Sequence, residues 1–550
     1  MKLSSTTHGL PSKAGGESED AFRVQQRDGR VIAVLADGLG SSKEGGTAAR
    51  RAVDMMGDYY LARPQAWSPR RALTEFVTQI NRVFHQESLL RHETPELLCT
   101  LSVVVIENGR LYGINVGDSP VYLWRQGTLT LLSQNHAMAQ AGFQHVLTRA
   151  VGLEAGVEPA AFETDIEDGD LVLLCSDGVS TVLSDEKLAA LLARRATARS
   201  LVTAAHEATE EHPELRDDAS AIVLDIVHRG WTGESQHRPL EVLSALHAGD
   251  LVDDYRLVRP LQEGDRVWLA EKADGIRHVL KFPSLEARDD EIRRDAFIRE
   301  LWQATRIDSP DFVRAFTPAE GSLRYYAMDF VEAPTLREVL QKGPIRVEDA
   351  VELGRFLLRA GQFLLTRDLA HGDLKPDNIL VLGNEFRPKY QLIDLGSAAE
   401  VFSVTSRAGT PSYLAPERFH GAALSERSEI FAIGVTLYEA LTQTYPYGEI
   451  ERFQTPRFET APKRPTRLNP AIPPWLESIL LHSLAPTIEH RYQNFSEIAY
   501  DFDHPENVRA YHRQDAPLLE RNPVLLYKSL CVILLISNLA FLLYILRHRQ

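Results

Sequence analysis

A ten-residue segment in the second half of the chain carries the residue types that phosphoryl transfer requires. Residues 371–380 read HGDLKPDNIL, and the apolar run YQLI leads into Asp394. Phosphoryl transfer needs a carboxylate to orient the attacking hydroxyl, a lysine near the phosphate, and Asn and Asp oxygens to hold Mg²⁺. Residues of these types follow one another in the sequence as Asp373, Lys375, Asn378 and Asp394. A solvated charged loop would account for the charges but not for their order and spacing.

This string resembles the catalytic loop and metal-binding segment of protein kinases, with HGD in place of the usual HRD and DLG in place of DFG. The resemblance covers residues 255–503 and implies an α+β bilobal protein kinase fold. It implies catalytic roles for Asp373 and Lys375, with protein Ser and Thr hydroxyls as acceptors. ATP is the implied phosphoryl donor, and Asn378 and Asp394 are the implied ligands of Mg²⁺.

Other elements of the kinase pattern lie on both sides of this loop. Lys281 in VLKF is implied to bind the ATP phosphates, and Glu300 in FIRELW to form an ion pair with it. Glu291 is the less favoured partner. Met328 is implied to be the gatekeeper beside adenine, and Thr410 to position the substrate. Glu417 and Arg491 are implied to form a structural ion pair.

The kinase-like block also departs from the family pattern. LQEGDRVWLA keeps a single glycine, Gly264, of a three-glycine loop that binds ATP, so fewer backbone amides would cover the phosphates. Gly372 stands where many kinases have an Arg that binds a phosphorylated activation loop, so switching through that Arg is not expected. Glu429 replaces the usual Asp of the central helix and is one methylene longer, which predicts different bracing of the catalytic loop.

In the first half of the chain, acidic residues stand where apolar runs begin or end. They are Asp37-Gly38 after VIAVLA, Asp177-Gly178 after LVLLCS, Asp217-Asp218 before ASAIVLDI, and Glu19-Asp20 before a short predicted strand. A lone Asp-Gly usually marks a turn. Clustered carboxylates, however, repel one another unless cations neutralise them, so a sheet that gathers these residues predicts divalent ions with oxygen ligands. Glycine after Asp lets the backbone approach closely and offers a carbonyl as a further ligand.

The segments SEDAF, ADGLG, CTLSVVVI, VGDSPVYLWRQG, LTRAVG, LCSDGVS and RDDASAIVL follow one another in this half. Their order resembles that of metal-dependent type 2C serine/threonine protein phosphatases over residues 15–227. The resemblance implies a β-sandwich flanked by helices, with two Mn²⁺ or Mg²⁺ ions that activate a bridging water. The implied ligands are Asp37 on both ions, Asp177 and Asp217 on one, Glu19 and the Gly38 carbonyl on the other, Asp20 through water, and Asp118 on a labile third ion.

Two positions in this domain depart from the phosphatase pattern. Gly15 stands where family members often have an Arg that grips the phosphate, and Lys13 is a less directional substitute. Leu39 stands where many members have a His that protonates the leaving group. These departures predict a less efficient phosphatase, although every implied metal ligand is kept.

Composition restricts the class of protein and its partners. A chain of 550 residues is too long to fold around one hydrophobic core. Its composition, with 44% hydrophobic and 25% charged residues, is typical of globular domains. A net charge of −16 without a Lys/Arg-rich block argues against nucleic acid as a partner. Three scattered cysteines exclude a disulfide framework or a zinc knuckle, which favours a reducing compartment.

The two ends of the chain differ in hydropathy. The first sixteen residues, MKLSSTTHGLPSKAGG, contain no apolar run, so no signal sequence is expected there. Near the other end, SLCVILLISNLAFLLYIL has no charge and as a helix would be about 27 Å long, close to the thickness of a bilayer. The sequence therefore predicts a membrane-spanning helix over residues 524–546. We expect both catalytic domains on the cytoplasmic side, where ATP is available.

Together these patterns predict a phosphatase domain over 1–228, a linker over 229–252, a kinase domain over 253–503 and a tether over 504–523. The predicted function is that of a membrane-tethered, bifunctional serine/threonine kinase and phosphatase that acts on proteins, including itself. Ser403, Thr405 and Ser406 are its candidate autophosphorylation sites. One alternative is an active phosphatase regulated by a nucleotide-binding pseudokinase domain. A second is an adaptor in which both sites are inactive.

Overall fold

The computed structural model describes residues 2–547 apart from 14, 28, 65, 139–146, 211–214, 229–239, 263, 318–322, 385–386, 395–398, 401–408, 452–455, 457, 459–460 and 512–522. The candidate autophosphorylation sites Ser403, Thr405 and Ser406 lie outside the described residues. The chain divides into two compact units, Met1–Glu332 with Asp394–Val404, and Ala333–Ile393 with Thr405–Gln550.

The described residues of the phosphatase-like part of the first unit form ten strands in two antiparallel sheets. The strands are β1 (Lys2–Leu10), β2 (Ala21–Arg27), β3 (Arg30–Ala36), β4 (Leu101–Glu107), β5 (Arg110–Val116), β6 (Val121–Arg125), β7 (Thr128–Leu131), β8 (Ala160–Asp165), β9 (Leu171–Cys175) and β10 (Ala219–His228). One sheet has the order β1-β10-β9-β6-β7 and the other β2-β3-β4-β5-β8. Apolar side chains of β3 and β4 pack against those of β6, β9 and β10 and form a core between the sheets.

Helices cover the outer face of each sheet. They are α1 (Gly45–Leu61), α2 (Pro69–Arg91), α3 (Asp177–Ser180), α4 (Asp185–Ala193) and α5 (Ala198–Ala208). Helices α1 and α2 form an apolar cluster with β3, β4 and β5, and α4 and α5 form another with β9 and β10. Because helices cover one face and the second sheet the other, strands such as β4 (LSVVVIE) are buried throughout and read as continuous apolar runs. The predicted β-sandwich flanked by helices is confirmed.

The first unit also contains the β-rich part of the kinase-like block. Its sheet has the strand order β11-β12-β13-β14-β16-β15. The strands are β11 (Leu251–Val252), β12 (Tyr255–Pro260), β13 (Val267–Lys272), β14 (Arg277–Lys281), β15 (Ala315–Phe316) and β16 (Tyr326–Asp329), and one helix, α6 (Glu291–Thr305), accompanies them. The Asp290 side chain caps α6 by accepting hydrogen bonds from Ile292 N and Arg293 N.

The second unit is mostly helical. Its helices are α7 (Leu336–Leu340), α8 (Val347–Leu365), α9 (Glu426–Thr442), α10 (Pro465–Leu468), α11 (Pro474–Ser483), α12 (Phe495–Asp503) and α13 (Pro523–Arg547), and its strands are β17 (Leu369–Ala370), β18 (Ile379–Asn384) and β19 (Arg387–Leu392). Strands β18 and β19 form a hairpin. A last short strand, β20 (Ala399–Glu400), belongs to the first unit. Every residue of α9 from Ser428 to Leu441 is buried, as expected for a helix that is apolar nearly all round and forms the centre of a core.

Glu429 on α9 anchors the segment that leads into the catalytic loop. Its Oε2 accepts a hydrogen bond from His371 N at 3.0 Å, and its Oε1 accepts one from Gly372 N at 3.0 Å. The longer side chain therefore binds two consecutive backbone amides. Burial raises the pKa of Glu429 to about 7, although both hydrogen bonds act in the opposite direction.

The predicted pair of Glu417 and Arg491 is present in the second unit. Arg491 Nη1 lies 2.9 Å from Glu417 Oε1, and Nη2 lies 3.2 Å from Oε2. The buried guanidinium also donates to the carbonyl oxygens of Arg427 and Ala485. A two-point ion pair with further acceptors satisfies a charge that would be costly to bury alone.

The predicted membrane-spanning segment over 524–546 forms part of α13. Within the portion of the chain that the structure describes, no helix combines the length and the apolar character needed to cross a membrane. The prediction of a spanning helix is therefore not supported by the structure.

We expect the substitution Glu429→Gln to change how the stability of the second unit depends on pH. The pKa of Glu429 is higher in the folded protein, about 7, than its ordinary value of 4.5. Between pH 4.5 and 7, the folded protein therefore holds a proton on Glu429 that the unfolded protein has lost. The contribution of this group to stability is fully present below pH 4.5 and is lost as the pH rises through 7. Relative to the variant, the wild type should lose on the order of 3 kcal/mol over this range, measured by calorimetry of the second-unit transition.

The exposed Glu352 provides the matched control, because Glu352→Gln removes the same charge from the surface of α8. Its stability profile should run parallel to that of the wild type. A parallel profile for Glu429→Gln would show that the buried carboxyl keeps an ordinary pKa.

Candidate active sites

Lys281 stands at the centre of a charged cluster in the first unit. Strand β14 carries Lys281, and α6 carries Glu300. Lys281 Nζ lies 2.5 Å from Glu300 Oε1 and 2.7 Å from Asp394 Oδ1. Burial alone would lower the pKa of Lys281, but the two carboxylates, with Tyr326, raise it well above its ordinary value. The ammonium group therefore stays charged and is held between two of the predicted site residues.

Tyr326 belongs to this cluster and was not predicted from the sequence. It lies opposite Lys281 in the pairing of β14 with β16, and its hydroxyl donates to Glu300 Oε1 at 2.6 Å. Burial, followed by the charge of Glu300, raises the pKa of Tyr326 well above its ordinary value, so the hydroxyl remains a donor. Only the strand register, which the sequence does not show, could have revealed this contact.

The segment HGDLKPDN forms a second cluster, around Asp373 in the second unit. Asp373 Oδ1 accepts hydrogen bonds from Thr410 N at 2.8 Å and from Thr410 Oγ1 at 2.9 Å. Lys375 Nζ lies 2.7 Å from Asp373 Oδ2 and donates to Thr410 Oγ1 at 2.7 Å. Asn378 Nδ2 donates to the Asp373 carbonyl at 2.9 Å. Three residues, up to 37 positions from Asp373 in sequence, thus hold its carboxylate in place.

Gly264 lies in the short turn between β12 and β13. Its φ is +95°, a value that favours glycine, and no atom lies within 4 Å of the position a Cβ would take. The Leu261 amide donates to the Val267 carbonyl at 2.8 Å, which closes the turn. The turn therefore keeps open space around its single glycine.

Strand registers bring the predicted metal ligands of the phosphatase-like domain together. Ala21 pairs with Ala36, which places Asp20 beside Asp37 at one end of β2 and β3. In the other sheet, Ala221 pairs with Cys175, so Asp217 lies near Asp177 at the adjoining ends of β10 and β9. Gly38 N donates to the Glu19 carbonyl at 3.2 Å, so the two loops of the first pair touch.

The carboxylates of this group affect one another's proton affinity. Burial raises the pKa of Asp37 well above its ordinary value, and the charges of Asp20, Asp177, Asp217 and Asp118 raise it further. Burial is also the main cause of the shifts that raise the pKa of Asp20 to about 7 and that of Asp177 to about 6. The pKa values of Asp118 and Glu19 are raised as well, again mainly by burial. Mutual repulsion of this kind is relieved when cations are bound.

The residues present fit hard metal ions by their chemistry. Asp20 is 7% exposed, and its Oδ1 has no hydrogen-bond partner, while Oδ2 accepts from Ser176 Oγ at 2.8 Å. A Cβ on Gly38 would lie 2.4 Å from the Gly45 carbonyl carbon, so only glycine allows α1 to begin against this loop. Among the described residues, however, no three His, Cys, Asp or Glu side chains are arranged as ligands of one ion. The ligand assignments therefore remain predictions.

Asp218 has a structural role that the sequence did not show. Its Oδ1 accepts a hydrogen bond from Ser12 N at 2.5 Å, and its Oδ2 accepts one from Glu19 N at 2.6 Å. A Cβ on Gly178 would lie 2.1 Å from the Asp218 carbonyl oxygen. Asp218 thus joins the segment that carries Glu19 to the start of β10, and the Asp-Asp dipeptide was the only signal of it in the sequence.

The two departures from the phosphatase pattern lie in the loops around this group. Gly15 has a φ of +77°, which a side chain such as Arg rarely adopts. The Lys13 carbonyl accepts a hydrogen bond from Gly16 N at 2.9 Å, and the Lys13 residue is exposed. Leu39 N donates to the Leu98 carbonyl at 3.1 Å. The backbone around Gly15 therefore takes a turn that disfavours an Arg at this position.

Two family models match the chain. The model described as protein phosphatase 2C covers residues 12–217, and the model described as protein kinase domain covers residues 265–495. The two matches do not overlap, and together they include the Lys281 and Asp373 clusters and the predicted carboxylate ligands of the phosphatase-like domain.

Curated relatives match the chain over part of its length. The serine/threonine-protein kinase PrkC of Bacillus subtilis is 29% identical over 295 residues, which are 49% of this chain and 44% of PrkC. The serine/threonine-protein kinase PknB of Mycolicibacterium smegmatis is 30% identical over 240 residues, 40% of this chain and 37% of PknB. The chain thus spans less than half the length of these relatives.

Solved structures are similar to part of the chain as well. The serine/threonine phosphatase PstP/Ppp of Mycobacterium tuberculosis is 23% identical, with a TM-score of 0.36, over 41% of this chain and 99% of that one. PppA, described as a key regulatory component of T6SS in Pseudomonas aeruginosa, is 24% identical, with a TM-score of 0.37, over 41% of this chain and 98% of that one.

The matched family models, together with the sandwich and the two clusters around Lys281 and Asp373, identify the chain as a protein phosphatase 2C domain followed by a serine/threonine protein kinase domain.

Proposed function

We propose that this protein transfers the γ-phosphoryl group of ATP to Ser or Thr hydroxyls of proteins and also hydrolyses the phosphoesters so formed. The observation that supports it best is the network around Asp373, in which Lys375, Thr410 and Asn378 hold the carboxylate at 2.7 to 3.2 Å. A carboxylate held in this way is prepared for an incoming hydroxyl, since catalysis of phosphoryl transfer is mainly positioning and electrostatics.

In the kinase reaction, Asp373 orients the acceptor hydroxyl and accepts its proton. Lys375 lies 2.7 Å from the same carboxylate and is close enough to stabilise negative charge that develops on the transferred group. Thr410 donates to Asp373 through both its amide and its hydroxyl, which fixes the carboxylate plane. Replacing Asp373 by Asn would keep the shape but remove the proton acceptor.

ATP and Mg²⁺ have proposed ligands throughout the kinase domain. Lys281, held by Glu300, would bind the phosphates, and the turn at Gly264 would cover them. Asp394 and Asn378 are the residues that would hold Mg²⁺, which supplies charge neutralisation at the phosphates when bound. The contact of Lys281 with Asp394 at 2.7 Å supports these roles, because a lysine and a metal-binding carboxylate must both reach the phosphates.

In the phosphatase reaction, two Mn²⁺ or Mg²⁺ ions would supply an activated water and a clamp for the phosphate when bound. The residues that would hold them are Asp37, Asp177, Asp217, Glu19 and the Gly38 carbonyl, with Asp20 acting through water and Asp118 on a third ion. Asp37 has the central position, because four other carboxylates raise its pKa. Asp218 would orient the segment of Glu19 through its two backbone hydrogen bonds.

One observation favours a second candidate function, an active phosphatase regulated by a nucleotide-binding pseudokinase domain. The turn at Gly264 contains one glycine and few residues between β12 and β13, so it offers few amides to the phosphates. The complete network around Asp373 favours the active kinase instead.

Joining the two activities in one chain raises the effective concentration of each for the other's products, the kinase's own phosphorylated residues included. Ser403, Thr405 and Ser406 are the proposed autophosphorylation sites. Neither proposed reaction depends on membrane attachment.

We expect Asp373→Asn to reduce incorporation of labelled phosphate from ATP into protein by at least about 100-fold, because the hydroxyl loses its proton acceptor. The measurement is the initial rate of label transfer to the chain itself with Mg²⁺ present. Asp377→Asn is the matched control, since Asp377 lies in the same motif but forms a surface ion pair with Arg337 at 3.2 Å. Equal rates for wild type and Asp373→Asn, or no incorporation by wild type, would favour the pseudokinase.

We expect Asp177→Asn to lower Mn²⁺-dependent hydrolysis of p-nitrophenyl phosphate by about 100-fold or more, because the metals that stabilise the transition state would lose a carboxylate ligand. Removal of Mn²⁺ with a chelator should have the same effect on the wild type. The exposed Asp165, changed to Asn, controls for the loss of one negative charge in the same domain. Hydrolysis that persists in Asp177→Asn or in chelator would contradict a metal-dependent mechanism at this site.

A further inference from the structure

Helix α6 of the kinase domain packs against helices of the phosphatase domain. Both belong to the first unit. Ile298 and Trp302 of α6 are 3% and 1% exposed, and they are part of the apolar cluster formed by α1, α2 and the sheet that contains β3 and β4. Two kinase side chains thus complete a core made mostly by the other domain.

Trp302 makes its aromatic contacts with the phosphatase domain. Its ring stacks on Phe76 at a centroid distance of 5.1 Å, meets Tyr59 edge-on at 5.2 Å and lies 6.2 Å from Trp67. The guanidinium of Arg306 lies 4.5 Å from the ring centroids of both Trp302 and Tyr59. Burial of a whole indole among three aromatic rings provides a large, specific contact.

Ion pairs flank this aromatic contact. Arg71 of α2 contacts Asp295 and lies 3.4 Å from Glu291. Glu75, one turn further along α2, lies 2.9 Å from Arg299. Glu291, predicted as the less favoured partner of Lys281, therefore faces the phosphatase domain instead. Opposite charges on the two helices fix the register in which they meet.

The same helix presents Glu300 on another side. Residues 298 and 302 are four apart and share one face of α6, whereas residue 300 is two positions from each and points away from that face. Glu300 Oε1 lies 2.5 Å from Lys281 Nζ and accepts from the Tyr326 hydroxyl at 2.6 Å. One face of α6 is thus bound to the phosphatase domain while the other completes the lysine cluster.

We infer that the phosphatase domain is the platform that sets the position of α6, and that Trp302 is a positioning residue for the Lys281–Glu300 pair. Because Trp302 and Glu300 stand on the same helix, a shift of the face that carries Trp302 also moves Glu300. If the phosphatase domain did not hold α6, Lys281 would keep its contact with Asp394 but lose its contact with Glu300. The inference rests on the proposed kinase function, since Lys281 is assigned to the nucleotide phosphates.

The test uses the full chain with Trp302→Ala and Trp302→Phe and measures the affinity for Mg·ADP by calorimetry together with amide exchange across α6. Trp302→Ala should weaken Mg·ADP binding by about tenfold or more and speed exchange in α6, because the cavity left by a buried indole releases the helix. Trp302→Phe should stay within about threefold of wild type, since a ring still fills the site. Exchange in β3 and β4 should not change in either variant.

A charge exchange gives an independent test that does not depend on a cavity. Glu75→Arg and Arg299→Glu should each weaken Mg·ADP binding by about two- to fivefold, and the double variant should recover the wild-type affinity. Unchanged affinity in Trp302→Ala, faster exchange throughout β3 and β4, or no recovery in the double variant would overturn the inference.

Binding of Mg·ADP does not require phosphoryl transfer, so the two proposals can fail separately. A wild-type chain that binds Mg·ADP but transfers no phosphate would refute the proposed kinase activity. The variants would then still decide whether the phosphatase domain positions α6. A wild-type chain that does not bind Mg·ADP would overturn both.

Discussion

The ion pair of Lys281 and Glu300 links three parts of the first unit, because its partners stand on β14 and α6 and the opposite face of α6 is bound to the phosphatase domain. A buried ion pair is costly unless its partners are held in place and further hydrogen bonds satisfy them. Here Asp394 and Tyr326 supply those bonds, at 2.7 and 2.6 Å. The position of α6 therefore decides whether the buried lysine has both of its carboxylate partners.

The phosphatase domain meets the opposite electrostatic problem. Its carboxylates lie together, and burial and mutual repulsion raise their pKa values. Bound divalent ions would relieve this repulsion, so the same arrangement that destabilises the isolated group favours metal binding. The Asp218 carboxylate instead accepts hydrogen bonds from two backbone amides. The two residues of an Asp-Asp dipeptide can therefore have separate roles.

The sequence predicted the two domains, the β-sandwich and the pairs Lys281–Glu300 and Glu417–Arg491, because each lies in a motif of fixed order. It did not reveal Tyr326, whose role depends on strand register, or the task of Asp218. The docking of Trp302 on Phe76 joins residues 226 positions apart, and an apolar residue on a helix gives no sign of which partner it buries against. The expectation for Glu429 was incomplete, since a longer side chain reaches two amides. The predicted spanning helix found no support in the structure.

A label-chase experiment tests most directly whether one chain adds and removes phosphate. The protein is incubated with labelled ATP, Mg²⁺ and Mn²⁺, excess unlabelled ATP is then added, and the label on the chain is followed with time. We predict that the wild type gains label and then loses it during the chase, while Asp177→Asn gains label and keeps it. Label that is retained equally by both proteins, or that never appears on either, would contradict a reversible switch within this chain.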